Sequence, residues 1–150
     1  MKNTILVTGA SGGLGQAIAR QLAKDGFDLV LHYRSNACAI ASLQAELAVA
    51  GCATRAIQFD VADRAATRSA LEADMDANGA YYGVVINAGI TRDTAFPAMS
   101  EDDWDAVLTT NLDGFYNVMH PISMPMVRRR KPGRIVAIAS VSGQIGNRGQ

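Results

Sequence analysis

The sequence predicts an α/β protein built on a doubly wound parallel sheet, and three observations carry the prediction. Short β-rich runs alternate with longer helix-patterned segments through five repeats, and such alternation implies parallel pairing through right-handed crossovers. The runs Leu29-Val30-Leu31, Val84-Val85-Ile86 and Ile135-Val136-Ala137-Ile138 are continuously apolar, as strands covered on both faces should be. A glycine-rich turn, Thr8-Gly9-Ala10-Ser11-Gly12-Gly13-Leu14-Gly15, joins the first strand directly to the first helix.

The first strand, 3–8, contains Ile5-Leu6-Val7 and ends at that turn. Helix 13–25 follows, then strand 28–33, helix 37–50, strand 54–59 and helix 63–78, the last capped by Asp63. Strand 83–87 precedes a long helix from about residue 101. Ser100 before Glu101, Asp102 and Asp103 reads as its N-cap, with acidic residues on the positive end of the helix dipole. Trp104, Val107, Leu108, Leu112, Phe115 and Val118 recur at helical spacing and predict a wide buried stripe. Pro121 and Pro125 are expected to bend or interrupt it. Strand 134–139 is the fifth. No linker or low-complexity segment divides the chain, so residues 1–150 read as one domain.

Fourteen Lys and Arg balance fourteen Asp and Glu. No global field therefore draws the chain to nucleic acid or anionic lipid, and a basic partner site must be local. The first strand begins almost at Met1, without a signal segment or a long apolar run, which predicts a cytoplasmic protein with no membrane attachment. Cys38 and Cys52 have neither Cys-x-x-Cys spacing nor neighbouring histidines, and His32 and His120 are isolated. Free, inert thiols, packing or surface histidines and no metal site are expected.

The turn has the chemistry of a nucleotide site. A chain leaving a buried strand must reverse tightly, admit a pyrophosphate to its backbone and pack a helix against the sheet, and glycine permits all three. The unpaired N–H groups of the following helix hold an anion without a lysine. The spacing Gly9-x3-Gly13-x-Gly15 lacks the Gly-Lys-Ser/Thr ending of a phosphate-transfer loop and differs from Gly-x-Gly-x-x-Gly. Further polar groups stand at the strand ends: Asp60-Val61 after the third, Asn87-Ala88-Gly89-Ile90 after the fourth and Ser140 after the fifth, with Asn111 in the long helix. In a doubly wound sheet a ligand belongs at these carboxyl ends. Each also has a plain structural reading: Asp60 closes a strand, Asn87 locks a loop, and Ser140 caps a strand end.

The second strand ends in Tyr33-Arg34-Ser35-Asn36. No carboxylate stands there to bind a ribose 2'-hydroxyl, and Arg34 can pair bidentately with a 2'-phosphate, so NADP(H) is the expected dinucleotide. A solvated Arg34 is the alternative.

With these motifs in this order, the whole chain resembles the short-chain dehydrogenase/reductase family, and the resemblance implies a Rossmann-type fold. It assigns cofactor contacts to Gly9, Ala10, Ser11, Gly12, Gly13, Leu14, Gly15, Arg34, Ser35, Asn36, Asp60, Val61, Asn87, Ala88 and Gly89, with Asp60 receiving the adenine amino group. Many NADP-using relatives carry a basic residue where Gly12 stands here. In the family a Tyr gives the proton to the carbonyl oxygen, a Lys four residues later lowers its pKa, a Ser orients the carbonyl and an Asn holds a relay water. Ser140, catalytic and substrate-binding, matches the Ser, and Asn111 matches the Asn. Tyr33, Tyr81, Tyr82 and Tyr116 are followed four residues on by Ala37, Val85, Ile86 and His120, so no Tyr-x-x-x-Lys is present.

In relatives, the sequence after Gly-Asn-x-Gly-Gln runs directly into the Tyr, and here that segment is Gly146-Asn147-Arg148-Gly149-Gln150. The expectation is that the C-terminal part of the family domain is absent from this sequence. The fifth strand would then be an uncovered edge unless a longer native chain or another chain covers it.

Residues 87–93, Asn111-Leu112, 133–136 and 140–147 resemble most closely the branch that reduces 3-oxoacyl groups on acyl carrier protein. Residues 82–85, 95–98 and 102–105 resemble the aryl polyene members of that branch. NADPH-dependent reduction of a 3-oxoacyl thioester is thereby implied. The alternatives are another short-chain alcohol dehydrogenase, with a small ketone, sugar or steroid substrate, and a non-catalytic nucleotide-binding subunit. Arg128-Arg129-Arg130-Lys131 would provide a cationic rim for an acidic acyl carrier protein, or simply a solvated helix C-terminus. The resemblance also implies a homo-oligomer, a tetramer assembled through the long helix, with Met119, Met124 and Met126 beside the interface.

Overall fold

The computed structural model describes residues 2–147 and Gly149; Arg148 and Gln150 of the quoted terminal segment lie outside the described residues. A single sheet carries five parallel strands in the order β3-β2-β1-β4-β5. They are β1 (Thr4–Val7), β2 (Asp28–Tyr33), β3 (Thr54–Gln58), β4 (Gly83–Ile86) and β5 (Arg134–Ala137). The helices are α1 (Gly13–Lys24), α2 (Ala37–Val49), α3 (Arg64–Asn78), α4 (Glu101–Leu108) and α5 (Gly114–Arg128).

Alternation along the strands divides the core into two layers. Leu6, Val30, Val84 and Ile86 face α3 and α5, packing with Leu71, Val118 and Ile122. Ile5, Val7, Leu29, Leu31 and Val85 face α1 and α2, packing with Ala19, Ile40, Leu43 and Leu47. Because both faces are covered, the inner strands have no polar side, which is why their sequences read as unbroken apolar runs. Asn36, Asp63 and Ser100 cap α2, α3 and α4, accepting from the backbone N–H of Ala39, Ala66 and Asp103 respectively.

The predicted long helix is in fact three pieces. A π-helical turn, Thr109–Asp113, separates α4 from α5. Both Pro121 and Pro125 lie inside α5, and the helix runs through them to Arg128. The buried stripe is also corrected. Val118 is fully buried, but Trp104, Leu112 and Phe115 are 49%, 64% and 42% exposed. The π turn changes the angular phase of the residues before it relative to α5, so one helical period does not carry a single face across the join. The fifth strand is shorter than expected, and it is one of the two edges of the sheet among the described residues: Arg134, Ile135, Val136 and Ala137 are all exposed.

Among the described residues no helix is long and apolar enough to cross a membrane, and no group of three His, Cys, Asp or Glu is placed to hold a metal ion. Cys38 and Cys52 are free; the Cys52 thiol is buried, donates to the Phe27 carbonyl, and is pushed up in pKa chiefly by burial.

Candidate active site

The strand order reverses between β1 and β4, and a cleft of about 380 Å³ opens over their carboxyl ends. Gly9, Ser11, Gly12, Gly13, Leu14 and Gly15 form one wall, and Arg34, Ser35, Asp60, Val61, Asn87, Ala88 and Gly89 supply the rest. Of the predicted cofactor contacts only Ala10 and Asn36 do not line it. Ala10 is fully buried, and its N–H donates to the His32 carbonyl at 2.8 Å. Asn36 uses its side chain to cap α2.

The turn is tied to β4 by side chains. Thr8 Oγ1 accepts from the N–H groups of Asn87 and Ala88 at 2.9 and 3.0 Å. Asn87 Nδ2 donates to the carbonyls of Thr8 and Gly9 at 3.0 and 3.3 Å. The loop-locking reading of Asn87 thus holds, with the residue still facing the cleft. Gly9 has φ +65°, and a Cβ there would stand 3.0 Å from Ala88 Cα, so this position requires glycine on two counts.

Of the two expectations for His32, packing and surface, the structure shows packing: it is buried, and it also lines the cleft. Gly9 N–H donates to its Nδ1 at 3.1 Å, its Nε2 faces the Phe59 carbonyl at 3.0 Å, and its ring lies 3.9 Å from that of Phe59. Burial lowers its pKa to about 4, against the opposing pull of the Phe59 carbonyl and the Asp60 carboxylate. A carbonyl only accepts, so the ring proton sits on Nε2 and Nδ1 is the free acceptor. Its place near the end of β2, among the ligand-side residues, was the available signal.

Arg34 and Asp60 face each other across the cleft mouth at 3.9 Å, Arg34 exposed and Asp60 partly so. An exposed pair at that distance is worth about 0–1 kcal/mol, which leaves the guanidinium free to turn toward another anion. Asp60 also accepts from Ala62 N–H through Oδ1, so its strand-closing role is real alongside its position in the cleft.

A second cavity, of about 280 Å³, meets the first at Ile90, which lines both. It contains Ser140, Ser142 and Asn111 together with the apolar side chains of Met99, Trp104, Val107 and Leu108. Ser140 Oγ accepts from Ser142 N–H at 3.2 Å and caps the short 3-10 turn Val141–Gly143. Asn111 lies in the π turn; its Oδ1 accepts from Ile90 N–H and its Nδ2 donates to the Ile90 carbonyl, both at 2.9 Å. Both side-chain groups are therefore engaged with the loop after β4, and a Cβ on Gly89 would come within 3.1 Å of that Oδ1. Ile90 and Thr110, which also lines the cleft, were not anticipated.

The basic run divides. Arg129 is half-buried, donating to the Tyr81 carbonyl and lying over the Tyr82 ring, whereas Arg128, Arg130 and Lys131 are exposed. Because α5 starts beside the cleft and ends beside the start of β4, these cations lie a helix length, roughly 22 Å, from it.

A five-stranded parallel sheet in this order, with a glycine turn and a cleft at the reversal point, defines a Rossmann-type protein. The chain belongs to the short-chain dehydrogenase family, which its residues 3–150 match. Among curated proteins it is 61% identical to the 3-oxoacyl-[acyl-carrier-protein] reductase FabG of Aggregatibacter actinomycetemcomitans, over all of this chain and 62% of that protein. It is 37% identical to the FabG of Staphylococcus aureus strain Mu50, again over the whole chain and 61% of the relative. The 3-oxoacyl-[acyl-carrier-protein] reductase of Synechocystis sp. is 38% identical over 97% of this chain and 58% of its own length. The chain thus spans about three fifths of the length of these relatives.

Proposed function

We propose that this chain is the cofactor-binding part of an NADPH-dependent reductase that converts a 3-oxoacyl thioester, carried on acyl carrier protein, to the 3-hydroxyacyl form. The observation that carries the reading is the junction of the two cavities at Ile90, which sets the glycine-walled cleft beside Ser140 and Asn111. The similarity to proteins named as 3-oxoacyl reductases supports it.

The residues fit a phosphorylated dinucleotide. The turn leaves backbone where a Cβ would stand, Gly13 has open space above it, and Arg34 is a cation just after β2, held only by its long ion pair with Asp60 and with no carboxylate in positions 33–36. NADPH, when bound, supplies the hydride. Arg34 and Ser35 hold its 2'-phosphate, Asp60 and Val61 the adenine, the Gly9–Gly15 turn the pyrophosphate, and Asn87, Ala88 and Gly89 the end nearer the substrate. Ser140 Oγ orients the carbonyl and donates to the oxygen as negative charge develops on it. Asn111 fixes the Ile90 segment between the two cavities and, as in the family, stands on the proton-relay side.

The exposed Trp104, Leu112 and Phe115 support self-association through α4 and α5, proposed as a tetramer. Free thiols at Cys38 and Cys52 are consistent with the reducing cytoplasm. An acidic carrier would dock on Arg128, Arg130 and Lys131, with an arm long enough to reach the cleft.

The test is fluorescence titration with NADPH and NADH, then repetition with Arg34→Ala, alongside NADPH oxidation with a 3-oxoacyl thioester. Tighter NADPH binding that Arg34→Ala removes selectively, with turnover of the thioester, supports the proposal. Equal affinities for the two dinucleotides would remove the cofactor argument, turnover of a small ketone or sugar alone would move the protein to another branch of the family, and binding without turnover by the protein as isolated from its source would make it a nucleotide-binding subunit.

A further inference from the structure

We propose that His32 is the positioning residue of the glycine turn, its neutral imidazole serving as the acceptor that fixes the Gly9 amide and with it the wall of the dinucleotide cleft. The inference deepens the reading of that cleft as a dinucleotide site and rests on it only for the effect on binding. From β4, Asn87 holds the Gly9 carbonyl side of the turn; from β2, one residue holds the amide side. His32 Nδ1 accepts from Gly9 N–H at 3.1 Å, and the His32 carbonyl accepts from Ala10 N–H at 2.8 Å. A main-chain carbonyl is available from any residue at position 32, but the Gly9 amide depends on this side chain. A purely apolar residue there would leave that half-buried N–H without its protein acceptor.

The ring itself is oriented by two contacts from Phe59, the residue after β3: its carbonyl at 3.0 Å on Nε2 and its ring at 3.9 Å. These fix which nitrogen carries the proton, so the segment following β3 controls an acceptor aimed at the turn after β1. The charged groups nearest the imidazole are Asp60, following Phe59, and Arg34, which shares the cleft with it. Protonation would convert Nδ1 into a donor pointed at another donor, and burial keeps the ring neutral well below its usual range.

The experiment uses the protein as isolated from its source. Long-range nitrogen–proton correlation spectra of the unliganded protein at neutral pH should show a neutral ring with its proton on Nε2, and the Gly9 amide should exchange slowly with solvent. His32→Asn keeps an acceptor near Nδ1 and should retain slow exchange and near-parental NADPH affinity. His32→Leu should accelerate Gly9 exchange and weaken NADPH about tenfold, the scale of one half-buried amide left unmatched. A ring protonated on Nδ1, a charged ring at neutral pH, or a His32→Leu protein that protects Gly9 and binds NADPH as the parent does would overturn the proposal. Should His32→Leu fail to fold, the ring tautomer and the His32→Asn exchange rate still decide it. If the parent protein bound neither dinucleotide, the functional reading would fail while the tautomer and exchange measurements still judged the clamp.

Discussion

Gly15→Ala isolates the packing that the glycine turn needs from the helical preference of the residue. Gly15 lies in the first turn of α1, where alanine is intrinsically favoured over glycine by up to about 1 kcal/mol. A Cβ at Gly15, however, would stand 2.2 Å from the Gly9 carbonyl oxygen and 2.9 Å from Ala10 Cα. Both obstacles are backbone of the turn, which β2 and β4 hold from either side, so relief requires the turn or the helix to move. Overpacking of this kind costs typically about 1–3 kcal/mol, and the upper end applies where no flexible side chain can yield. The net loss is then about 2 kcal/mol, or a fall in Tm of roughly 4–8 °C for a chain of this size. Gly13→Ala is the control, because nothing stands within 4 Å of its Cβ; its Tm without cofactor should equal or exceed the parental value. Thermal unfolding of the three proteins, followed by circular dichroism without dinucleotide, reads the difference. A Gly15→Ala protein as stable as Gly13→Ala would refute the claim that helix–turn contact dictates this glycine.

Ser140→Ala should lower turnover of the protein as isolated from its source by about 10² to 10³, the effect of losing one preorganised donor, while NADPH affinity stays constant; unchanged turnover assigns the serine to capping the 3-10 turn. Stability should decline on acidification from about pH 6.5 toward 4, because the unfolded His32 gains a proton that the folded ring, lowered to about 4 by burial, refuses. The shift implies about 2 kcal/mol between pH 7 and pH 5, and urea titrations at those two values should show it in the parent and not in His32→Asn. Equal pH slopes would show that the ring titrates normally in the folded protein. Asp74 contributes only further down: burial raises its pKa, the hydrogen bonds from Arg55 and Tyr81 outweigh that effect, and its stabilisation is lost below the usual carboxylate range. Replacing Arg128, Arg130 and Lys131 together with Gln should slow association with an acidic carrier protein most at low salt; stopped-flow rates that do not depend on salt in either protein would exclude the rim as a docking surface.

What the sequence determined on its own was local and periodic. The five strands, the capping residues Asn36, Asp63 and Ser100, and the glycine turn all follow from interactions between near neighbours, and covered strands announce themselves as apolar runs. The strand ends are legible too, and Asp60, Asn87 and Arg34, which stand at them, line one cleft. What only the tertiary structure decided is how groups far apart in sequence satisfy one another. His32 and Gly9 meet because β2 and β1 are paired in one register, and a slip of one residue would turn the imidazole to the other face. Asn111 spends both polar groups on Ile90 because a π turn rotates it there, and the same turn leaves Trp104 and Leu112 exposed where helical spacing predicted a buried stripe. Arg129 leaves the basic run for the Tyr81 carbonyl, a partner 48 residues away. Periodicity records which face a residue occupies, whereas hydrogen-bond satisfaction depends on which backbone group the fold carries to that face.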